Sequence, residues 1–250
     1  MSRAEAAGVT LLFLTDHDSV AGFPEAQEAA RGSSLAVHCG VEINTRHGEN
    51  VHILGYGMRW QDPGFTARLT ELRERRVERL NRMLESLRRL GVDLSFEDVR
   101  GGSRESLGRA HVADALKRKG KVSSRAEAFH RYLAQGRPAY VASLGPAPEE
   151  AIALIRGAGG FAAVAHPATV ADQDAITAWV KAGLEGIEVH YSSHSPSDIV
   201  RFQDLADRLG LVVTGGSDYH GRGSGREGPM GVEVSDEVCA RFLERLSRCA

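Results

Sequence analysis

Several of the ten histidines in this sequence stand at or beside short apolar runs. His17 lies in Thr15-Asp-His-Asp18, directly after the run Val9 to Leu14, and His52 lies inside Val51-His-Ile-Leu54. His166 ends Val164-Ala-His166 before Pro167, and His220 closes Thr214-Gly-Gly-Ser-Asp-Tyr-His220. An imidazole flanked by carboxylates can be held in one tautomer and used as a metal ligand. Glu42, among the apolar residues of Gly40-Val-Glu-Ile43, would be costly to bury without a compensating cation. Asp218 and His220, two apart in a glycine-rich loop, can face one cavity.

Each feature alone also has an ordinary explanation. His17 can be a solvated loop residue, Glu42 can point outward by strand alternation, His52 and His166 can be satisfied core histidines, and Gly, Ser and Asp form turns. Jointly they fall at or beside predicted strand ends, where a β/α barrel collects its chemistry. Mixed nitrogen and oxygen donors suit Zn²⁺, Mn²⁺ or Fe²⁺ better than Mg²⁺ or Ca²⁺. No GxSxG elbow, P-loop or GxGxxG opening a helix competes with this set.

The elements that must position these residues alternate. Val9 to Leu14 reads as a buried strand, and Phe23 to Arg31 as a helix entered through Pro24 and closed by Gly32. Further strands are expected at 35–43, 51–56, 160–165, 186–190 and 211–214, with helices around 148–158, 170–182, 196–209 and 235–248. Such alternation predicts a mostly parallel sheet wrapped by helices. Residues 66–134 carry helical patterns only. Leu69, Leu72, Val77, Leu80, Met83, Leu84, Leu87 and Leu90 form one apolar stripe beneath an Arg/Glu face, so the spacing predicts a helical insertion (66–134) in a barrel domain (1–65 and 135–250). That insertion either covers one end of the barrel or packs outside it. Ser2 to Ala7 reads as a helix end capped by Gly8, a segment that ought to follow a strand.

At 250 residues, 42% apolar and 26% charged, one elaborated barrel domain accounts for the length. The net charge of −2 provides no global basic field of the kind that drives nucleic-acid binding. Three widely spaced cysteines fit a reducing compartment, so a cytoplasmic location is expected. No apolar run approaches the roughly 18 residues of a membrane span.

The segments Leu14-Thr-Asp-His-Asp18, Gly40-Val-Glu-Ile43, His52-Ile-Leu-Gly55, Gly108-Arg-Ala-His111, Ala165-His-Pro167, Gly186-Ile-Glu-Val189 and Gly215-Gly-Ser-Asp-Tyr-His-Gly221 stand in the order in which the PHP (polymerase and histidinol phosphatase) family carries them. The sequence resembles the stand-alone nucleotide phosphoesterase branch of that family. The resemblance implies an α/β fold, a distorted (β/α)7 TIM-like barrel with a helical insertion, and up to three divalent metal ions (Mn, Zn or Fe). By resemblance, Glu42, His52 and His166 hold one ion. Glu42 bridges to a second that also takes Asp218, and His17 and His220 serve the third. Arg109 binds the substrate phosphate with His111 assisting, and His194 lies on the substrate side. His17, Asp218 and His194 are the implied catalytic residues.

Family members open with a strand bearing His-x-His and a following Ser-Asp-Gly that this sequence does not carry. The first barrel strand is therefore expected to be missing, with an unpaired edge and fewer than three ions bound. The implied activity is metal-dependent hydrolysis of phosphate esters in nucleotides or short oligonucleotides, with no membrane and no stable protein partner. Two alternatives stand beside it. One is a catalytically impaired or truncated nucleotide- or metal-binding module. The other is a 5'-3' exonuclease on RNA or DNA ends, helped by Arg68, Arg75, Arg76, Arg79, Arg82, Arg88 and Arg89, although the interleaved glutamates favour a solvated helix face.

Overall fold

The computed structural model describes residues 1–48, 50–101, 107–221 and 228–249. Six strands, β1 (Leu11–Leu14), β2 (Ala36–Asn44), β3 (His52–Tyr56), β4 (Phe161–Val164), β5 (Gly186–Tyr191) and β6 (Val212–Gly216), lie in sequence order in one sheet. The sheet curls into a half-barrel, and among the described residues no ladder joins β1 to β6. Pairs β1/β2, β4/β5 and β5/β6 are parallel, whereas β3 runs antiparallel to both β2 and β4. The expected mostly parallel order fails at β3 for a simple reason. Only residues 45–51 join β2 to β3, which is too few for a parallel crossover of a dozen or more residues.

The strands alternate as half-barrel walls should. Val41, Ile43, Ile53, Val164 and Ile187 bury outward against α7 (Pro148–Gly157), α8 (Asp174–Lys181) and α9 (Pro196–Leu209). At Gly55 an added Cβ would stand 2.9 Å from both Ile155 and Val41 side chains, so the missing side chain lets α7 lie close on the sheet. On the inner face Leu54, Tyr56, Phe161 and Ala163 pack on Phe242 of α10 (Asp236–Ser247), with Phe13 edge-on to Tyr56 and Phe242. The sequence predicts a buried β1, yet all four of its residues are only half-buried. Among the described residues its outer edge pairs with no strand, and β1 lines an open cavity.

α1 (Ser2–Ala6) enters β1 through Gly8 at φ 75°, and α2 (Phe23–Ala29) follows β1. α3 (Pro63–Arg89) starts where Asp62 accepts a bond from the Phe65 amide at 2.8 Å, with Pro63 fitting the first turn. Its first half places Phe65, Leu69 and Leu72 in the barrel core. Its second half places Leu80, Met83, Leu84 and Leu87 in a separate core with α4 (Phe96–Arg100), α5 (Arg109–Arg118), α6 (Arg125–Ala128) and the π-helical turn Phe129–Leu133. One helix thus ties the two cores together. No described helix is long and apolar enough to cross a membrane.

Candidate active site

β2 and β3 pair so that Glu42 lies opposite Leu54 and Asn44 opposite His52. Glu42 and His52 therefore share the inner face, and Glu42 does not point outward. The chain after β1 continues the pairing: Glu42 N donates to Asp16 O at 3.1 Å and Asp18 N to Glu42 O at 2.9 Å. This brings His17 beside Glu42, Nδ1 to Oε2 3.5 Å. His166 follows β4 with φ 30°. Its Nε2 lies 3.2 Å from both Glu42 Oε1 and His52 Nδ1, and His52 Nδ1 lies 2.6 Å from Glu42 Oε1. His17, Glu42, His52 and His166 therefore converge.

Two observations fit this cluster to a divalent cation. Two tetrahedral ligands about 2.0–2.1 Å from one Zn²⁺ stand roughly 3.3 Å apart, within the range of 2.6 to 3.5 Å that separates the donor atoms here. His17 Nδ1 is also a buried polar atom with no hydrogen-bond partner, and it faces the carboxylate. The protonation states suit a ligand set as well. Burial lowers the pKa of His17 well below its ordinary value and lowers that of His52. Burial raises the Glu42 carboxyl, but its interactions with the His17, His52 and His166 imidazoles more than reverse it, holding Glu42 well below its ordinary value. Burial lowers His166 too, yet the bond to Glu42 and its charge raise it overall.

Asp18 does not orient His17, as flanking carboxylates suggest in the sequence. It is 1% exposed and accepts bonds from Asn44 N at 3.2 Å and from Arg76 Nη1 of α3 at 3.2 Å. Burial still raises its carboxyl to about 6. Asp218 and His220 join the cluster from the β6 loop. Tyr191 donates its hydroxyl to Asp218 Oδ2 at 3.0 Å, and His220 Nδ1 donates to Asp218 O at 2.8 Å, which leaves Nε2 as the remaining ring nitrogen. The His220 and His17 rings lie 6.0 Å apart. Among the described residues, Asp18, His166 and Asp218 are the non-glycine residues with positive φ. All three sit in this site, where strained backbone is characteristically stored.

His17, Glu42, His52, His166, Asp218 and His220 open onto a cavity of about 2040 Å³ between β1 and β6, which Arg109 and His111 of α5 also line. Arg109 is 9% exposed, and its guanidinium lies 5.7 Å from the Phe129 ring centroid and 5.9 Å from that of Tyr140. The Gly108 amide donates to His111 Nδ1 at 3.1 Å, so a neutral His111 carries its proton on Nε2. His194 does not line the cavity. Its Nδ1 donates to Val189 O at 2.9 Å, and its ring packs against Tyr191 and Phe202.

Sequence reasoning gave no site role to Glu188, Asn50 or Thr169, and counted Arg76 only among the arginines of the exonuclease reading. Glu188 is fully buried under the cluster, accepts a bond from His166 N at 2.7 Å, and is raised to about 8 by burial. A carboxylate inside the apolar run Gly186-Ile-Glu-Val189 was the available signal. The others are recognisable only from contacts.

No family model matches the chain. It is similar to a 3',5'-nucleoside bisphosphate phosphatase of Chromobacterium violaceum, 37% identical over 98% of this chain and 89% of that protein. It is also similar to a 5'-3' exoribonuclease of Haemophilus influenzae, 32% identical over 87% of this chain and 82% of that protein. A solved structure from Bifidobacterium adolescentis, provisionally assigned as a metal-dependent phosphoesterase, superposes with a TM-score of 0.83 at 30% identity, covering 100% of this chain and 89% of that one.

Proposed function

Because the chain belongs to the PHP family of metal-dependent phosphoesterases, we propose that it hydrolyses phosphate esters of nucleotides or short oligonucleotides in the cavity above Glu42. The observation that carries this reading is the convergence of His17, Glu42, His52 and His166 on a cavity that Arg109 also lines. The phosphatase and exoribonuclease names of its relatives support the substrate class.

In this reading Glu42, His52 and His166 would hold one divalent ion, Glu42 and Asp218 a second, and His17 and His220 a third. The donor set favours Zn²⁺, Mn²⁺ or Fe²⁺. The chemistry so supplied would be an acidified water as nucleophile and neutralisation of phosphate charge. Arg109 clamps the phosphate through its planar fork, and His111 Nε2–H donates to the same anion. His17, a member of the cluster with its Nδ1 toward Glu42, would contribute to catalysis through the third ion. His194 packs on the ring of Tyr191, which donates to Asp218.

In this reading residues 66–134 form the lid domain over a barrel made by 1–65 and 135–250; the separate core from Leu80 onward and the insertion's residues in the cavity wall support it, while Leu69 and Leu72 pack in the barrel core. The gap between β1 and β6 supports reading the sheet as six strands of a (β/α)7 barrel. The three free cysteines support a cytoplasmic location.

The exonuclease reading draws less support. Arg68, Arg82, Arg88 and Arg89 pair with glutamates three or four residues away on α3, as a solvated face does. Arg76 and Arg79 turn inward to Asp18 and to the Val141 carbonyl.

The test is Mn²⁺-supported hydrolysis of adenosine 3',5'-bisphosphate by wild type, His166→Ala and Asp218→Ala. Each variant is expected to lose at least about 100-fold in kcat/KM. Undiminished activity in both rules the site out, and activity on polynucleotide with none on the bisphosphate reverses the substrate ranking.

A further inference from the structure

We infer that Thr169 and Asn50 are positioning residues that join the phosphate clamp to the metal-binding histidine: Thr169 fixes which nitrogen His166 presents, and Asn50 aims Arg109. The inference rests on the proposed metal and phosphate roles of His166 and Arg109.

Thr169 lies on the short 3-10 turn Pro167–Thr169 after β4. Its Oγ1 stands 2.8 Å from Asn50 O, 3.0 Å from His166 O and 3.2 Å from His166 Nδ1. Carbonyl oxygens only accept, so the single hydroxyl proton goes to one of them, and the shorter contact is to Asn50. With that proton on Asn50 O, the hydroxyl oxygen acts as acceptor toward His166, the arrangement that places a proton on Nδ1. A neutral His166 then has its lone pair on Nε2, the atom that faces Glu42 and His52. A partner on the far ring nitrogen is how ligating imidazoles are oriented and made more basic.

Asn50 works on two sides through different atoms. Its main-chain carbonyl takes the Thr169 hydroxyl, while its side-chain Oδ1 accepts a bond from Arg109 Nη2 at 3.1 Å. Phe129 and Tyr140 flank the guanidinium, and the bond to Asn50 adds an anchor at one nitrogen. The turn 45–51 that carries Asn50 is closed by Thr45, whose hydroxyl donates to Val51 O at 2.6 Å. One turn thus touches both halves of the site.

Because Asn50 serves Thr169 with its backbone and Arg109 with its side chain, two substitutions separate the roles. Thr169→Val removes the acceptor for His166 Nδ1, whereas Asn50→Ala leaves the carbonyl in place and removes only the Arg109 partner. Calorimetric titration with Mn²⁺, steady-state kinetics on adenosine 3',5'-bisphosphate, and ¹⁵N NMR of the His166 ring in the metal-free protein read the outcome. Thr169→Val is expected to weaken Mn²⁺ binding about 10-fold or more, to lose the Nδ1–H preference, and to keep KM within about twofold. Thr169→Ser should restore both properties. Asn50→Ala is expected to raise KM about 10-fold with Mn²⁺ affinity and the His166 tautomer unchanged. Parallel losses in both variants, or an unaltered tautomer and Mn²⁺ affinity in Thr169→Val, overturn the inference. A wild type that binds no Mn²⁺ overturns the metal-site reading instead, and the tautomer measurement still judges Thr169.

Discussion

Replacing Arg76 with Met removes the counter-charge of Asp18 and keeps an apolar stem on α3. Asp18 is 1% exposed, with Arg76 Nη1 at 3.2 Å. At an effective dielectric of 20 that attraction amounts to about 5 kcal/mol, so an unpaired Asp18 takes up a proton rather than stay ionised. The sign follows from linkage. Burial lifts the folded-state carboxyl from 3.8 to about 6 even with Arg76 beside it. In the wild type, stability from this group is full below pH 3.8 and is lost as pH rises through 6. In the variant the pKa moves higher, so the loss continues to higher pH. The pH-dependent part of the destabilisation is therefore near zero at pH 5 and grows toward pH 8 by about 1.4 kcal/mol for each unit by which the folded pKa rises. Loss of Arg76 also eases protonation of His17, whose pKa it lowers, and this acts in the same direction. Urea unfolding of the metal-free protein at pH 5, 6.5 and 8 measures the effect. A destabilisation independent of pH, or larger at pH 5 than at pH 8, refutes the reasoning.

Glu188→Gln keeps an acceptor for the His166 amide and removes a group held at about 8. Wild-type stability from Glu188 is full below its ordinary value of 4.5 and declines as pH rises toward 8. Metal-free Glu188→Gln should therefore gain a few kcal/mol on wild type between pH 5 and pH 8, seen by thermal unfolding in chelator; equal pH slopes contradict it. Gly145→Ala would set a Cβ 2.0 Å from the Asn44 carbonyl oxygen, at the end of the strand that carries Glu42. It should cost about 2 kcal/mol or more, a fall of roughly 4–8 °C in Tm, and an unchanged Tm denies the close approach. Arg109→Lys, which loses the planar fork between Phe129 and Tyr140, should raise KM for adenosine 3',5'-bisphosphate about 10-fold with Mn²⁺ affinity unchanged; an unchanged KM removes Arg109 from the clamp.

Strand and helix positions were legible because apolar runs ending in polar loops, with Pro and Gly at helix boundaries, are local signals. The direction of β3 was not, since it depends on the length of the 45–51 connection and on what lies across the sheet. The half-buried state of β1 was equally invisible, because a run such as Leu11-Leu-Phe-Leu14 reads as buried whatever lies beside its free edge. At the site, Glu42, His52 and His166 could be named from type and position, but alternation alone left the direction of Glu42 open until β2 and β3 were paired. Asp18 looked like a partner for His17, yet its buried carboxylate needed a guanidinium and found Arg76, 58 residues away. Asn50 and Thr169 are ordinary turn residues by type, and only their contacts with Arg109 and His166 distinguish them.

The most direct test is calorimetric titration of Mn²⁺ into wild type and Glu42→Gln. Wild type should bind at least one ion per chain with a Kd in the micromolar range or below, and removing the carboxylate at the centre of the imidazole cluster should weaken binding about 100-fold or more. Equal binding by the two proteins would show that any ion sits elsewhere, and a wild type that takes up no Mn²⁺ would contradict the metal centre outright.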